Sequence, residues 1–252
     1  MTEGLKQGVE IVLEHRPPPL RRLLREAFDL PLVLAAPLLP LVRSSHRGMG
    51  IPVLVIPGFG SNDHSIDRLV RSLNAAGFAA TGWGQQTNLG YRPELLEGLA
   101  VRLNDIVADR GSKIILVGWS LGGLFARETA KLHPELVSMV VTLGSPFSGC
   151  RRNNNAWRLY EAINDHSVDN PPIASELAEK PSVPTFALWS QRDGIVSTGS
   201  AHGLCHESDA RIQLDSTHLG MATRSGPIRQ IVQLLSDRLA EPRNTDRAYV
   251  GS

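Results

Sequence analysis

The chain has 252 residues, 42% of them hydrophobic, and a formal net charge of +1. Its length suits one large α/β domain as well as two small ones, and the apolar content allows a substantial core. The near-neutral balance gives no reason to expect nucleic-acid binding, and no basic block with interleaved aromatics occurs.

Two cysteines, Cys150 and Cys205, cannot form a disulfide framework. Buried free thiols are the simplest expectation, with a single bridge left open. No Cys/His cluster has zinc-ligand spacing, so neither a metal nor a cofactor is expected. The first residues lack the basic start and apolar stretch of a secretory leader. The most apolar segment, Leu30 to Val42, holds Pro31, Pro37 and Pro40 and is too short to span a bilayer. A soluble, cytoplasmic protein is expected.

In chain order, residues 1–50 stand apart. Leu20, Leu23, Leu24 and Phe28 recur at helical spacing with Arg21, Arg22 and Arg25 between them. Pro31 is expected to stop or kink that helix. The segment is read as a helical extension packing on the body, with peripheral membrane contact through residues 1–42 as the other reading. An alternating β/α pattern then starts at Ile51 and occupies residues 51–252. Ile51–Ile56 reads as a buried strand and residues 65–76 as a helix presenting Ile66, Leu69, Val70 and Leu73. Ala79–Gly82 reads as a short strand, and Pro93–Arg110 as a helix with proline in its first turn. Lys113–Val117 is a strand, Leu124–Leu132 a helix and Val137–Leu143 a strand. At about 147–180 a polar, asparagine-rich stretch breaks the rhythm and reads as a cap or lid. Val183–Ser190 and Arg211–Leu214 are the last strands, and Ser225–Leu239 the closing helix. Strands alternating with helices predict a mostly parallel central sheet with helices on both faces.

Gly118-Trp119-Ser120-Leu121-Gly122 lies between a predicted strand and a predicted helix. A serine so placed projects from a turn too sharp for side chains two positions either side. The helix N-terminus aims backbone N–H groups at it. A serine hydroxyl needs a base, and the base an orienting carboxylate. Asp193 follows a strand in Ser190-Gln-Arg-Asp-Gly-Ile-Val196 and is the candidate acid, with Asp215 and Asp209 as rivals. His218, in Asp215-Ser-Thr-His-Leu-Gly220, is the candidate base; His202 and His206 come before the last strand. Leu121 supplies one backbone N–H for a developing oxyanion, and Phe59 in Pro57-Gly-Phe-Gly60 the other, with Gly58 and Gly60 as alternatives.

On Ile56-Pro-Gly-Phe-Gly60, Gly118-Trp-Ser-Leu-Gly-Gly123, Leu143-Gly-Ser-Pro146, Arg192-Asp-Gly194 and Ser216-Thr-His-Leu-Gly220, the chain resembles the α/β-hydrolase superfamily on its serine esterase and lipase side. The resemblance covers roughly residues 51–240. It implies Ser120 as nucleophile, Asp193 as acid and His218 as base. Two departures stand out. Pro57-Gly58 replaces the His-Gly that many lipases carry, and the first strands of the usual eight are not evident, so a shortened sheet is expected. Trp83, Trp119 and Trp157 are expected around an apolar substrate pocket.

The leading reading is a carboxylic-ester hydrolase working through an acyl-enzyme on a small-molecule or lipid-like ester. An acyltransferase or thioesterase on the same residues is the alternative, and a non-catalytic binding protein a third. Ser120 excludes mechanisms that need aspartate at the elbow.

Overall fold

The computed structural model describes residues 16–45, 47–172 and 176–240. Residues 1–15, part of the predicted extension, lie outside the described residues. Two short helices, α1 (Leu20–Glu26) and α2 (Leu30–Leu34), precede a 3-10 turn at Ala36–Leu38. Pro31 sits in the first turn of α2, where its missing N–H removes no helical bond. It does not end α1, which stops at Glu26.

The body is a six-stranded sheet in the order β2-β1-β3-β4-β5-β6, every neighbouring pair parallel. The strands are β1 (Pro52–Ile56), β2 (Ala79–Gly82), β3 (Ile114–Trp119), β4 (Val137–Leu143), β5 (Thr185–Trp189) and β6 (Ala210–Gln213). No strand precedes β1 among the described residues. Between them run α3 (Asp63–Ala75), α4 (Pro93–Arg110) and α5 (Leu121–Leu132), and α8 (Ser225–Ala240) is the last helix among the described residues. Two helices were not foreseen: α6 (Trp157–Ile163) within the cap stretch and the one-turn α7 (Thr198–His202) after β5.

Side chains of a strand alternate between faces, so each strand feeds two cores. Val53, Val55, Ile115 and Val117 pack with Ile66 and Leu69 of α3 and Ile231 and Leu235 of α8. Leu54, Ile56 and Leu116 pack on the other face with Leu99 and Leu103 of α4 and Phe125 and Ala126 of α5. Burial on both faces explains why β1 and β3 read as unbroken apolar runs.

The chain leaves β1 toward β2 on one side and resumes at β3 on the other. At that switch of direction the carboxyl ends of two neighbouring strands diverge into a crevice. Ile56 is in register with Gly118, so the Pro57–Gly60 loop and Ser120 emerge side by side.

The N-terminal segment is inverted relative to its sequence pattern. Glu26, Asp29, Val33 and Ala36 face inward and are buried, whereas Leu20, Leu24, Phe28, Leu34 and Leu38 are 64–87% exposed. The leucine stripe that suggested packing points to solvent. The reason is polar: the body offers backbone N–H groups and arginines to this segment, and carboxylates satisfy them better than leucines. Arg71 Nη2 donates to the carbonyls of Ala36, Pro37 and Leu39, and Arg68 Nε to that of Pro40. Asp29 accepts from Arg224 Nε at 2.7 Å and from the Thr217 hydroxyl.

Candidate active site

Ser120 joins β3 to α5 with φ 55° and ψ −122°, a left-handed conformation that only a tightly held turn sustains in a non-glycine residue. What holds it is close backbone approach. A Cβ on Gly118 would lie 2.3 Å from the Gly122 oxygen, and one on Gly122 would lie 2.3 Å from the Ile56 oxygen. Both positions therefore require glycine. The Ser120 N–H donates to the Leu143 carbonyl at 2.8 Å, tying the elbow to β4.

Asp193 and His218 meet from the loops that follow β5 and β6. His218 Nδ1 lies 2.7 Å from Asp193 Oδ2, and the two residues are 2% and 1% exposed. The other carboxylate oxygen, Asp193 Oδ1, accepts from the N–H groups of Ile195 and Val196 at 2.8 and 2.7 Å. An aspartate so held is oriented for Nδ1 and leaves the Nε2 side of the ring for another partner. Trp119, the residue before Ser120, donates its indole N–H to the His218 carbonyl at 3.1 Å. That bond links the His218 loop to the elbow. Burial works against charging His218, but the Asp193 charge and hydrogen bond, together with the Glu26 charge, raise it above the ordinary 6.5.

The rival acids are engaged elsewhere. Asp215 is exposed and pairs with Arg192 at 2.9 Å. Asp209 pairs with Lys180 and accepts from the Thr185 N–H, both at 2.7 Å. His202 is buried edge-on against Trp189, with Nδ1 2.8 Å from the Gly203 carbonyl. Its burial pushes its pKa down.

The loop after β1 approaches the serine closely, since a Cβ on Gly58 would lie 3.0 Å from Ser120 Cβ. Asn88, fully buried, shapes that loop. Its Nδ2 donates to the Pro57 carbonyl at 2.8 Å, its carbonyl accepts from Gly60 N–H at 2.7 Å, and its own N–H donates to Ser61. The Gly60 N–H is thereby occupied, which disfavours it as an oxyanion donor. The Phe59 N–H donates to no acceptor among the described residues. Leu121, first residue of α5, has no earlier helical carbonyl for its N–H.

A cleft of about 990 Å³, counting its open mouth, begins at Ser120. Phe59, Leu121, Leu124, Phe125, Trp157 and Tyr160 give it a largely apolar wall. Trp157 and Tyr160 come from α6, and the Tyr160 ring lies 5.5 Å from that of Phe59. Asn164 Nδ2 donates to the Leu89 carbonyl at 2.8 Å, anchoring α6 over the cleft.

Of the three tryptophans expected in the pocket, only Trp157 lines it. Trp83 is fully buried in the core with α4, with the cleft residue Phe125 6.4 Å away edge-on. Trp119 alternates to the opposite face of the sheet from the cleft and packs tilted on His218 at 5.9 Å. The cysteines also differ from expectation: Cys150 and Cys205 are both free and exposed, because each sits in a loop at the strand ends. No metal-binding cluster of His, Cys, Asp and Glu occurs among the described residues.

Sequence reasoning missed Glu26. It is 3% exposed at the end of α1, yet its carboxylate reaches both loops of the Asp193–His218 pair. Only its position in an arginine- and leucine-rich helix was legible. Burial pushes its pKa up, while the His218 charge and the N–H groups of Leu219 and His218 pull it down; the net direction is upward.

A sequence model described as the alpha/beta hydrolase fold matches residues 110–160, the stretch from the end of α4 through the elbow to α6. The pimeloyl-[acyl-carrier protein] methyl ester esterase of Aliivibrio fischeri is 28% identical over 116 residues, 44% of this chain and 42% of that protein. The triacylglycerol lipase of Burkholderia plantarii is 27% identical over 127 residues, 47% of this chain and 36% of that protein. The chain thus matches less than half the length of these relatives. The crystal structure of the Paleococcus ferrophilus monoacylglycerol lipase superposes with a TM-score of 0.54 at 16% identity, covering 79% of this chain and 99% of that one.

Proposed function

From an α/β-hydrolase fold with similarity to esterases and lipases, we propose that this chain is a serine-dependent carboxylic-ester hydrolase. The observations that carry the reading are the buried 2.7 Å pair of His218 Nδ1 and Asp193 Oδ2, and Ser120 at a positive φ lining an apolar cleft. In this reading His218 Nε2 takes the Ser120 proton as Oγ attacks an ester carbonyl. The N–H groups of Leu121 and Phe59 hold the oxyanion. His218 then returns the proton to the departing alkoxide, and the alcohol leaves an acyl-enzyme on Ser120. Water, deprotonated by His218, attacks that ester, and the acid is released as His218 passes the proton back to Ser120 Oγ. Asp193 remains ionised throughout and holds the ring in the tautomer with its proton on Nδ1.

The apolar wall supports an uncharged acyl group as the bound moiety, with α6 and its neighbours acting as the cap. Hydrolysis of p-nitrophenyl esters is expected, with kcat/KM rising from acetate to octanoate, and a fluorophosphonate is expected to label Ser120. Faster transfer to an added alcohol than to water, or turnover of acyl-CoA with no ester hydrolysis, would move the reading to an acyltransferase or a thioesterase.

The outward face of the N-terminal segment supports a second part of the proposal, a peripheral contact with an anionic lipid surface. Leu20, Leu24, Phe28, Leu34 and Leu38 are exposed there, and Arg16, Arg21 and Arg25 are exposed alongside. Apolar side chains entering the headgroup region, flanked by cations, suit acidic lipids. Among the described residues no helix is long and apolar enough to cross a membrane. The wild type is expected to co-sediment with phosphatidylglycerol vesicles, less so at high salt, and the double variant Leu24→Ser, Phe28→Ser to lose binding. No vesicle binding, or a concentration-dependent dimer abolished by the same variant, would assign the face to another copy of this chain. A cytoplasmic location belongs to the same reading, supported by two exposed free thiols.

A further inference from the structure

The Glu26 carboxylate accepts three backbone hydrogen bonds. Oε1 takes the N–H of Gly194 and that of His218, each at 2.8 Å, and Oε2 takes the N–H of Leu219 at 2.9 Å. Gly194 follows Asp193 directly, so one side chain is bonded to the loop of the acid and to the loop of the base. These loops follow β5 and β6, and no other described side chain bonds the backbone of both Gly194 and His218. Two oxygens acting only as acceptors match three converging donors, which neither an amide nor a hydroxyl can do.

The surroundings hold this arrangement in place. A Cβ on Gly194 would lie 2.4 Å from the Arg22 carbonyl oxygen, so the acid loop is pressed against α1. Asn155 Nδ2 donates to both Pro18 and Gly194 carbonyls, at 3.0 and 2.8 Å, closing the same contact from the cap side. One turn on, Asp29 holds Thr217 and Arg224 beside the base loop.

We infer that Glu26 is a positioning residue, the strut by which the N-terminal segment sets the distance and angle between Asp193 and His218. The inference rests on the catalytic reading above for its effect on rate, but not for its effect on the imidazole. The charged groups facing His218 are Asp193 from the loop after β5 and Glu26 from α1, while Asp29 is paired with Arg224. Both facing charges favour the imidazolium, and only the neutral ring can accept the serine proton. The acid limb of the wild-type kcat/KM profile is therefore expected above the ordinary imidazole value of 6.5. Removing the Glu26 charge should move that limb to lower pH.

The test compares Glu26→Gln and Glu26→Ala with the wild type in the full chain. Glu26→Gln keeps one acceptor and sets an NH₂ against a backbone N–H. Displacement of the pair by up to an ångström is expected to lower kcat by about 10²-fold, with KM for a p-nitrophenyl ester little changed. The second readout is the His218 imidazole titration followed by NMR, which needs no turnover. Its midpoint is expected to fall in Glu26→Gln. A side chain that merely pins the segment down would lower Tm and leave the titration and the acid limb where they were, and that result overturns the inference. A wild type inactive on esters, with the titration still shifted by Glu26→Gln, would overturn the hydrolase reading and leave the strut standing. Where Glu26→Ala does not fold, Glu26→Gln carries both readouts.

Discussion

Ser120→Ala is expected to lower kcat on p-nitrophenyl esters by about 10⁶-fold, the scale of nucleophile removal in serine hydrolases. The fold should survive it. Alanine at φ 55° is strained much as serine is, and the elbow is held by the Gly118 and Gly122 approaches rather than by Oγ. Tm and the near-ultraviolet circular dichroism are expected to stay close to wild type, and fluorophosphonate labelling to vanish. Residual turnover within a hundredfold of wild type would mean that another group performs the attack.

Asp193→Asn is expected to lower kcat by about 10⁴-fold, because an amide at this position presents either an NH₂ to Nδ1 or a weaker acceptor and lets the ring take the wrong tautomer. The Ile195 and Val196 N–H groups would still find a carbonyl oxygen, so the loop should keep its course. Asp215→Asn removes only an exposed pair with Arg192 and is expected to change kcat less than threefold, in keeping with the small worth of exposed ion pairs. Steady-state kinetics on the two variants in parallel decide between the acids. A larger loss for Asp215→Asn would reverse the assignment.

The sequence carried a good deal of this architecture. Unbroken β-branched runs such as Val53–Ile56 signalled strands buried on both faces, and such strands occur in parallel sheets covered by helices. The elbow was legible because its glycines are demanded by local contacts: Gly118 and Gly122 meet backbone within the turn itself or in the adjoining strand end. Asp193 and His218 were legible because each follows a strand end, and strand ends of a parallel sheet converge.

The N-terminal segment was not legible in the same way. Helical spacing of Leu20, Leu24 and Phe28 identifies a face, but which face turns inward depends on what the body presents to it. Here the body presents the N–H groups of Gly194, His218 and Leu219, so Glu26 turns in and the leucines turn out. Trp83 and Trp119 illustrate the same limit. Proximity in sequence to a site loop does not say on which side of the sheet a side chain falls, and alternation along the strand sent Trp119 to the far face.

What the chain determined by itself was therefore local: element type, the glycine-dependent turn at Ser120, and the order of serine, aspartate and histidine along strand ends. Those features depend on residues within a few positions of each other or on the periodicity of one element. Only the tertiary structure decided the pairing of Asp193 with His218, the wall of the cleft and the reach of Glu26 across 192 residues to His218. Hydrogen bonds and burial between distant segments carry no periodic signature, since they form only when the sheet has brought its loops together.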